Sequence, residues 1–199
     1  MTTRSRRRFG SPWPLLFAIA SLGQPLVAAE ALKADVPKLV PGVELPLLEA
    51  KALSGDEAAL PRDARGHAAV LVIGFSKAAA KVSQGWLESC RSAAVARSAE
   101  PGIDCYDVRM LEDVPRFFRG SMEHGMRSGF PDDLQRHTLL AYTENAAWRA
   151  RVGVADEKTA YVVGCDREGL VRATAAGGFA EAEMKKILEA IVTVSDSAP

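Results

Sequence analysis

The chain has 199 residues and a mass of 21.3 kDa, with 25 basic and 25 acidic side chains. This length suits one ordinary domain, and a composition that is 48% hydrophobic and 25% charged excludes disordered and collagen-like classes. Three Cys and three His are too few for a clustered zinc or haem framework. We therefore expect one globular domain that holds no metal and no cofactor.

The charge is unevenly distributed along the chain. The first 29 residues contain four Arg and no acid, which leaves the remaining 170 residues with 21 basic and 25 acidic side chains. Nucleic-acid binding needs a basic face that neutralises phosphates. The mildly acidic body therefore argues against a nucleic-acid partner.

The N-terminus has the pattern of an export signal. Basic residues at 4–8 precede an apolar run over 13–22, and the small residues 27–29 lead to Glu30. This order predicts a secretory signal over residues 1–29, with a retained amphipathic anchor as the alternative. The apolar run has about half of the roughly 20 residues that a spanning helix needs, so we expect no transmembrane span after cleavage. Residues 5–9 resemble a twin-arginine signal, although general secretion remains open.

These features predict a periplasmic or secreted protein with three further segments. Residues 30–42 form a lead-in, residues 43–193 form the domain, and residues 194–199 form a disordered tail. Within the domain, residues 43–48 and 52–55 are predicted as short strands or an irregular arm, because Pro and Gly interrupt them.

A strand–helix–strand unit follows in the sequence. Residues 68–75 are unbroken apolar residues, which is typical of a strand buried on both faces of a sheet. Residues 78–98 have helical apolar spacing, and residues 103–111 form the next predicted strand. Such a unit predicts a parallel pair joined by a right-handed crossover.

The remaining predicted helices and strands have weaker sequence patterns. A second amphipathic helix is predicted after Pro115, and further elements are a strand over 137–142 and a short helix over 145–152. Residues 159–165 and 170–174 flank a Gly-containing turn and predict an antiparallel hairpin. The last predicted helix covers residues 181–192.

The element order and three segments resemble thioredoxin-like redoxins. The segments are residues 66–76, 148–154 and 160–171, the last containing an Asp-x-x-Gly turn between two strands. The resemblance implies an α/β, thioredoxin-like three-layer fold, with a mixed central sheet and helices on both faces. Leu53-Ser54-Gly55, Leu60-Pro61 and Trp86 are also similar to the mitochondrial ATP-synthase assembly-factor family, whose members resemble redoxins without the redox thiols.

The sequence departs from the redox pattern that this resemblance implies. Redoxins place a reactive Cys at the helix start after the first core strand, where helix N–H groups stabilise a thiolate. Residues 75–81 contain no Cys, and Cys90 lies about 15 Å farther along the helix than Ala80. Residues 157–159, where thioredoxins have a cis-Pro, contain no Pro. We therefore expect no catalytic residue of the usual disulfide-exchange kind.

The three cysteines leave two interpretations open. Cys90 and Cys165 lie in apolar patterns that are typical of inert buried thiols. In an oxidising compartment, Cys90 and Cys105 are also a possible disulfide, since the helix end and the next strand are neighbours in such a unit. Cys165 would then be the odd thiol.

Two groups of residues are candidate contact sites. The first is a candidate partner surface of aromatic, Met and Arg side chains, with core packing as the alternative: Arg116, Phe117, Phe118, Arg119, Met122 and Met126. The second is a candidate cleft at the vacated redox position, where lysines at a helix start either bind an anion or stay solvated: Ser76, Lys77, Lys81 and Thr159.

The sequence therefore predicts a binding protein that assists the assembly or stability of an envelope protein complex. The competing hypothesis is a periplasmic thiol oxidoreductase or peroxidase that uses Cys90, Cys105 or Cys165.

Overall fold

The computed structural model describes residues 36–97 and 102–193. The predicted signal over 1–29 and the predicted tail over 194–199 lie outside these residues. The described part of the lead-in packs against the domain, because Leu39 is buried and its N–H donates to the carbonyl of Arg151 at 2.8 Å. No described helix combines the length and apolar character that a membrane crossing requires.

Among residues 36–97 and 102–193, seven strands form one mixed sheet with the order β2-β1-β5-β4-β3-β6-β7. Strands β3, β4 and β5 are parallel, whereas β1–β2, β1–β5, β3–β6 and β6–β7 pair antiparallel. Their bounds are β1 Leu48–Ala52, β2 Glu57–Leu60, β3 Ala68–Gly74, β4 Ile103–Met110, β5 Thr138–Ala141, β6 Ala160–Cys165 and β7 Val171–Gly177.

Within the part of the chain that the structure describes, five α-helices cover the two faces of this sheet. They are α1 Lys77–Ala96, α2 Arg116–Arg127, α3 Asp132–Gln135, α4 Asn145–Val152 and α5 Glu181–Thr193. The chain passes from β3 through α1 to β4 and through α2 to β5 in one direction, and right-handed crossovers place both helices on the same face. These layers confirm the prediction of a thioredoxin-like fold with a mixed sheet and helices on both faces.

Strand β3 forms the centre of the core because every one of its residues is buried. Val70 and Val72 join the apolar cluster beneath α1 and α5, whereas Leu71 and Ile73 join the cluster on the opposite face with Trp148 of α4. Burial of each such aliphatic side chain contributes about 1.5–3 kcal/mol, which explains the unbroken apolar sequence.

The N-terminal hairpin lies elsewhere than the sequence predicted. Residues 43–47 form the irregular arm that was the alternative, with one isolated bridge between Glu44 and Leu170. Strands over 43–48 and 52–55 were wrong in position, because the strands are β1 and β2, and Gly55 (φ 112°) lies in the turn between them. Strand β1 is rich in alanine, a residue with little strand preference, so its pattern was weak. Its position follows from pairing with β2 on one side and with β5 on the other.

The predicted hairpin between β6 and β7 is present, and Asp166 organises its turn. Oδ1 of Asp166 accepts hydrogen bonds from the N–H groups of Glu168 and Leu170, and Oδ2 accepts one from Nε of Arg172 at 2.5 Å. Gly169 has φ 86°, a backbone conformation that favours glycine. These contacts give the Asp-x-x-Gly segment a structural role. Strand β7 is longer than predicted, because it continues to Gly177 rather than ending at residue 174.

Candidate functional site

Ser76 caps the start of helix α1, the position where redoxins carry their reactive thiol. The N–H of Ala79 donates to Oγ of Ser76 at 3.2 Å, and that hydroxyl donates to the carbonyl of Glu157 at 2.7 Å. The second bond brings the loop before β6, which contains Thr159, to the helix start. The first residues of the helix, Lys77 to Lys81, contain three alanines and no sulfur atom.

A cleft of about 490 Å³ opens beside this helix start, between α1, the end of β4 and α2. We call it the α1–α2 cleft. Its lining is mainly apolar and comes from three stretches of chain: Gly74, Phe75, Ser76, Lys77, Ala80 and Ser83; Asp107, Arg109, Met110, Leu111, Asp113 and Val114; and Met122 and Met126. The fold thus joins Ser76 and Lys77 of one predicted site with Met122 and Met126 of the other.

Other residues of the two predicted sites lie away from the cleft. Lys81 and Thr159 are not part of its lining. Phe117 and Phe118 are 80% and 57% exposed, with ring centroids 4.7 Å apart, so core packing of these two side chains was the wrong alternative. Arg116 is exposed, whereas the Arg119 guanidinium lies 4.2 Å from the ring centroid of Tyr142.

The cleft is also lined by an ion pair that the sequence did not predict, between buried Asp107 and half-buried Arg109. The side chain of Asp107 is only 4% exposed, and its Oδ2 accepts hydrogen bonds from Nε and Nη2 of Arg109 at 3.0 and 2.9 Å. Burial raises the pKa of Asp107, while the Arg109 charge acts in the opposite direction. The sequence signal was an acidic residue between apolar residues in the middle of the predicted strand over 103–111.

Polar contacts of Glu123 hold helix α2 against the sheet. Oε2 of Glu123 accepts a hydrogen bond from Nζ of Lys51 at 2.8 Å, and Oε1 accepts one from the Tyr142 hydroxyl at 2.8 Å. Burial alone would raise the pKa of Glu123, but the hydrogen bonds from Lys51 and Tyr142 outweigh it and lower the pKa. Arg127 adds a bond from its Nε to the carbonyl of Leu53. The Met-bearing wall of the cleft is thus fixed to β1 and to the end of β5.

Cys90 and Cys105 form a disulfide between α1 and β4, with their Cα atoms 6.1 Å apart. The bridge therefore links two elements that both line the cleft. Cys90 is fully buried, and Cys105 lines a separate surface pocket of about 330 Å³. The third cysteine, Cys165, is a buried thiol, and burial together with the charge of Asp166 raises its pKa to about 12.

No protein-family model matches the sequence, and no curated protein matches it. Solved structures do match. A candidate thiol:disulfide interchange protein DsbE from Chlorobium tepidum is 16% identical, with a TM-score of 0.54 over 77% of this chain and 99% of the other. BsSco, a member of the Sco family of cytochrome c oxidase assembly proteins, is 8% identical, with a TM-score of 0.58 over 80% and 98%.

A third match is the C-terminal domain of a candidate thiol-disulfide oxidoreductase from Bacteroides thetaiotaomicron. It is 12% identical, with a TM-score of 0.52 over 78% of this chain and 98% of the other. Identities this low establish the fold and nothing about activity. By its architecture and by these similarities, the chain has a thioredoxin-like fold.

Proposed function

We propose that this chain is an exported binding protein that assists the assembly or stability of a protein complex in the bacterial envelope, without thiol–disulfide catalysis. The observation that carries the proposal is the α1–α2 cleft. It lies at the edge where redoxins act, it is mainly apolar, and none of the described residues that line it is a cysteine. Export and the envelope location rest on the N-terminal sequence pattern.

The surroundings of the cleft support a protein partner. Met122 and Met126 are flexible apolar side chains that adapt to different partner shapes, and both face the cleft. Exposed Phe117 and Phe118 lie on the same helix, and aromatic residues are enriched at protein interfaces. The similarity of residues 53–55, Leu60-Pro61 and Trp86 to the ATP-synthase assembly-factor family supports assembly as the purpose of binding.

Chemical cross-linking in the native envelope tests this proposal. The variant Ala80→Phe places a ring in the cleft from α1, whereas Lys81→Ala changes the neighbouring residue, which does not line the cleft. We expect Ala80→Phe to lose the cross-linked partner and Lys81→Ala to retain it. Phe117→Ala/Phe118→Ala tests the adjoining exposed face in the same way. The same partners captured equally by all variants would refute binding at this site.

The disulfide favours a second candidate function, a thiol oxidoreductase that uses Cys90 and Cys105. In such a reaction a substrate dithiol is oxidised to a disulfide, and its two electrons and two protons reduce the Cys90–Cys105 bond to two thiols. Cys105 lines a surface pocket from which a thiol can approach, although Cys90 is fully buried.

A single-turnover measurement distinguishes the two functions. The oxidised protein is mixed with a reduced dithiol peptide at neutral pH, and the peptide disulfide is quantified for the native chain and for Cys105→Ala. Rapid oxidation that Cys105→Ala abolishes would replace the binding proposal with the oxidoreductase. We expect oxidation no faster than the uncatalysed reaction.

A further inference from the structure

Two polar side chains that line the α1–α2 cleft, Asp107 and Ser83, can each accept a further hydrogen bond. Asp107 uses Oδ2 for both hydrogen bonds from Arg109, and no described residue donates to its Oδ1. The hydroxyl of Ser83, which is also buried, donates to the carbonyl of Ala79 at 3.0 Å and accepts from no described residue. Both side chains line the cleft, so the cleft is complementary to a hydrogen-bond donor.

The charges around the cleft favour a donor that is neutral. Two cationic residues, Lys77 and Arg109, and two acidic residues, Asp107 and Asp113, line the cleft, so their formal charges cancel. A charged ligand would lose its hydration without meeting an excess of opposite charge. A neutral N–H or O–H group gives up less hydration free energy than a charged group, and it still donates a hydrogen bond to Asp107.

The size and walls of the cleft suit a flat apolar group. Its volume of about 490 Å³ is within the usual range for small ligand sites. The thioether side chains of Met122 and Met126 line the cleft, where they can contact an inserted ring. Sulfur atoms of methionine make favourable contacts with aromatic rings.

We propose that the cleft accepts a tryptophan or tyrosine side chain of the partner protein, whose indole N–H or phenol O–H donates to Oδ1 of Asp107. This inference rests on the proposed function, because it names the group by which the partner is bound. Tryptophan and tyrosine combine an apolar ring with one neutral donor, and together with arginine they are enriched among the residues that dominate binding at protein interfaces.

A matched pair of small probes tests the inference on the protein itself. The ¹⁵N-labelled protein is titrated with indole and with 1-benzothiophene, which has the same shape but carries sulfur in place of the N–H group. We expect amide shifts confined to the cleft residues, and a dissociation constant for indole at least about tenfold lower than for benzothiophene. Equal affinities, shifts elsewhere, or no indole binding up to its solubility limit would overturn the inference.

Two variants locate the interaction. Asp107→Asn should reduce the preference for indole, because a charged acceptor is replaced by a neutral one. Ala80→Phe should abolish binding of both probes by filling the cleft. If Asp107→Asn fails to fold, the comparison of the two probes on the native chain and on Ala80→Phe still decides the question.

The probe titration and the cross-linking experiment can fail independently. Selective indole binding with partner capture that is insensitive to Ala80→Phe would preserve the aromatic site and refute its use for the partner. Partner capture that depends on the cleft, together with no preference for indole, would preserve the proposed function and refute the aromatic-donor inference.

Discussion

Nζ of Lys51 lies 2.8 Å from Oε2 of Glu123, although 72 residues separate the two in sequence. Lys51 belongs to β1 and Glu123 belongs to α2, so the contact ties an N-terminal strand to the helix that forms one wall of the cleft. Tyr142 binds the other oxygen of the same carboxylate. The orientation of Met122 toward the cleft therefore depends on contacts made by the next residue in the chain.

Replacing Glu123 by Gln should destabilise the protein in a pH-dependent manner. The pKa of Glu123 is lower in the folded chain than its ordinary value, so the stabilisation by the carboxylate is complete above the ordinary pKa of about 4.3 and is lost as the pH falls through the lower pKa of the folded chain. We expect Glu123→Gln to lower the free energy of unfolding by about 1–3 kcal/mol at pH 7. Urea denaturation at pH 7 and at pH 3 measures the difference, which should shrink at the lower pH.

Glu49→Gln is the matched control, since Glu49 is an exposed residue of β1. The free energy of unfolding of Glu49→Gln should equal that of the native chain at both pH values. An equal loss for Glu123→Gln at pH 7 and pH 3 would show that the ionised carboxylate is not the stabilising form.

Removal of the disulfide should destabilise the native state substantially. The bridge closes a loop with a sequence separation of 15, for which the chain-entropy relation gives about 3 kcal/mol. We expect Cys90→Ala/Cys105→Ala to show a loss of about that size in urea denaturation. Reducing the native chain should produce a similar loss. A double variant as stable as the native chain would show that the bridge adds nothing to folding.

Cys165 should react very slowly while the protein is folded. Its thiol is buried and its pKa is raised to about 12, so almost none of it is thiolate at neutral pH. An assay with a chromogenic thiol reagent at pH 7, without reductant, should detect almost no thiol in the native protein and one thiol after denaturation. Rapid reaction of the native protein would indicate that Cys165 is accessible and would reopen the redox hypothesis.

Gly169→Ala should weaken the turn between β6 and β7. A Cβ atom at this position would lie 2.9 Å from Cβ of Pro61, and the backbone has φ 86°, which is unfavourable for alanine. We expect a loss of about 1–3 kcal/mol in the free energy of unfolding. Gly178→Ala is the control, since nothing lies within 4 Å of the added methyl group there, and its stability should change little.

The sequence was sufficient for the elements whose signals are local and strong. The unbroken apolar run predicted β3, because both faces of that strand are covered by other parts of the chain. The periodic apolar positions predicted α1, because one stripe of that helix packs against the sheet. Gly85 shows the limit of such reasoning. By propensity alone a glycine destabilises a helix, but a Cβ atom at Gly85 would lie 2.8 Å from Cβ of Phe179.

The sequence singled out residues on two walls of the cleft, but it did not predict that these residues line one cleft. Ser76 and Met122 were both singled out, but their proximity depends on how α2 is rotated about its axis. That rotation follows from the bonds of Glu123 to Lys51 and Tyr142, which no local pattern contains. Asp107 was missed for a related reason, since its burial depends on the helices that pack over β4.

The three cysteine sulfur atoms are divided between the two sides of the sheet. Cys90 and Cys105 belong to the apolar cluster beneath α1 and α5, and Cys165 belongs to the cluster on the opposite side. Rearrangement of a disulfide requires direct attack by a thiolate on one of the bonded sulfur atoms. Once the strands have paired, Cys165 cannot reach the bond without opening the sheet, so the folded chain retains one of its three conceivable cysteine pairings.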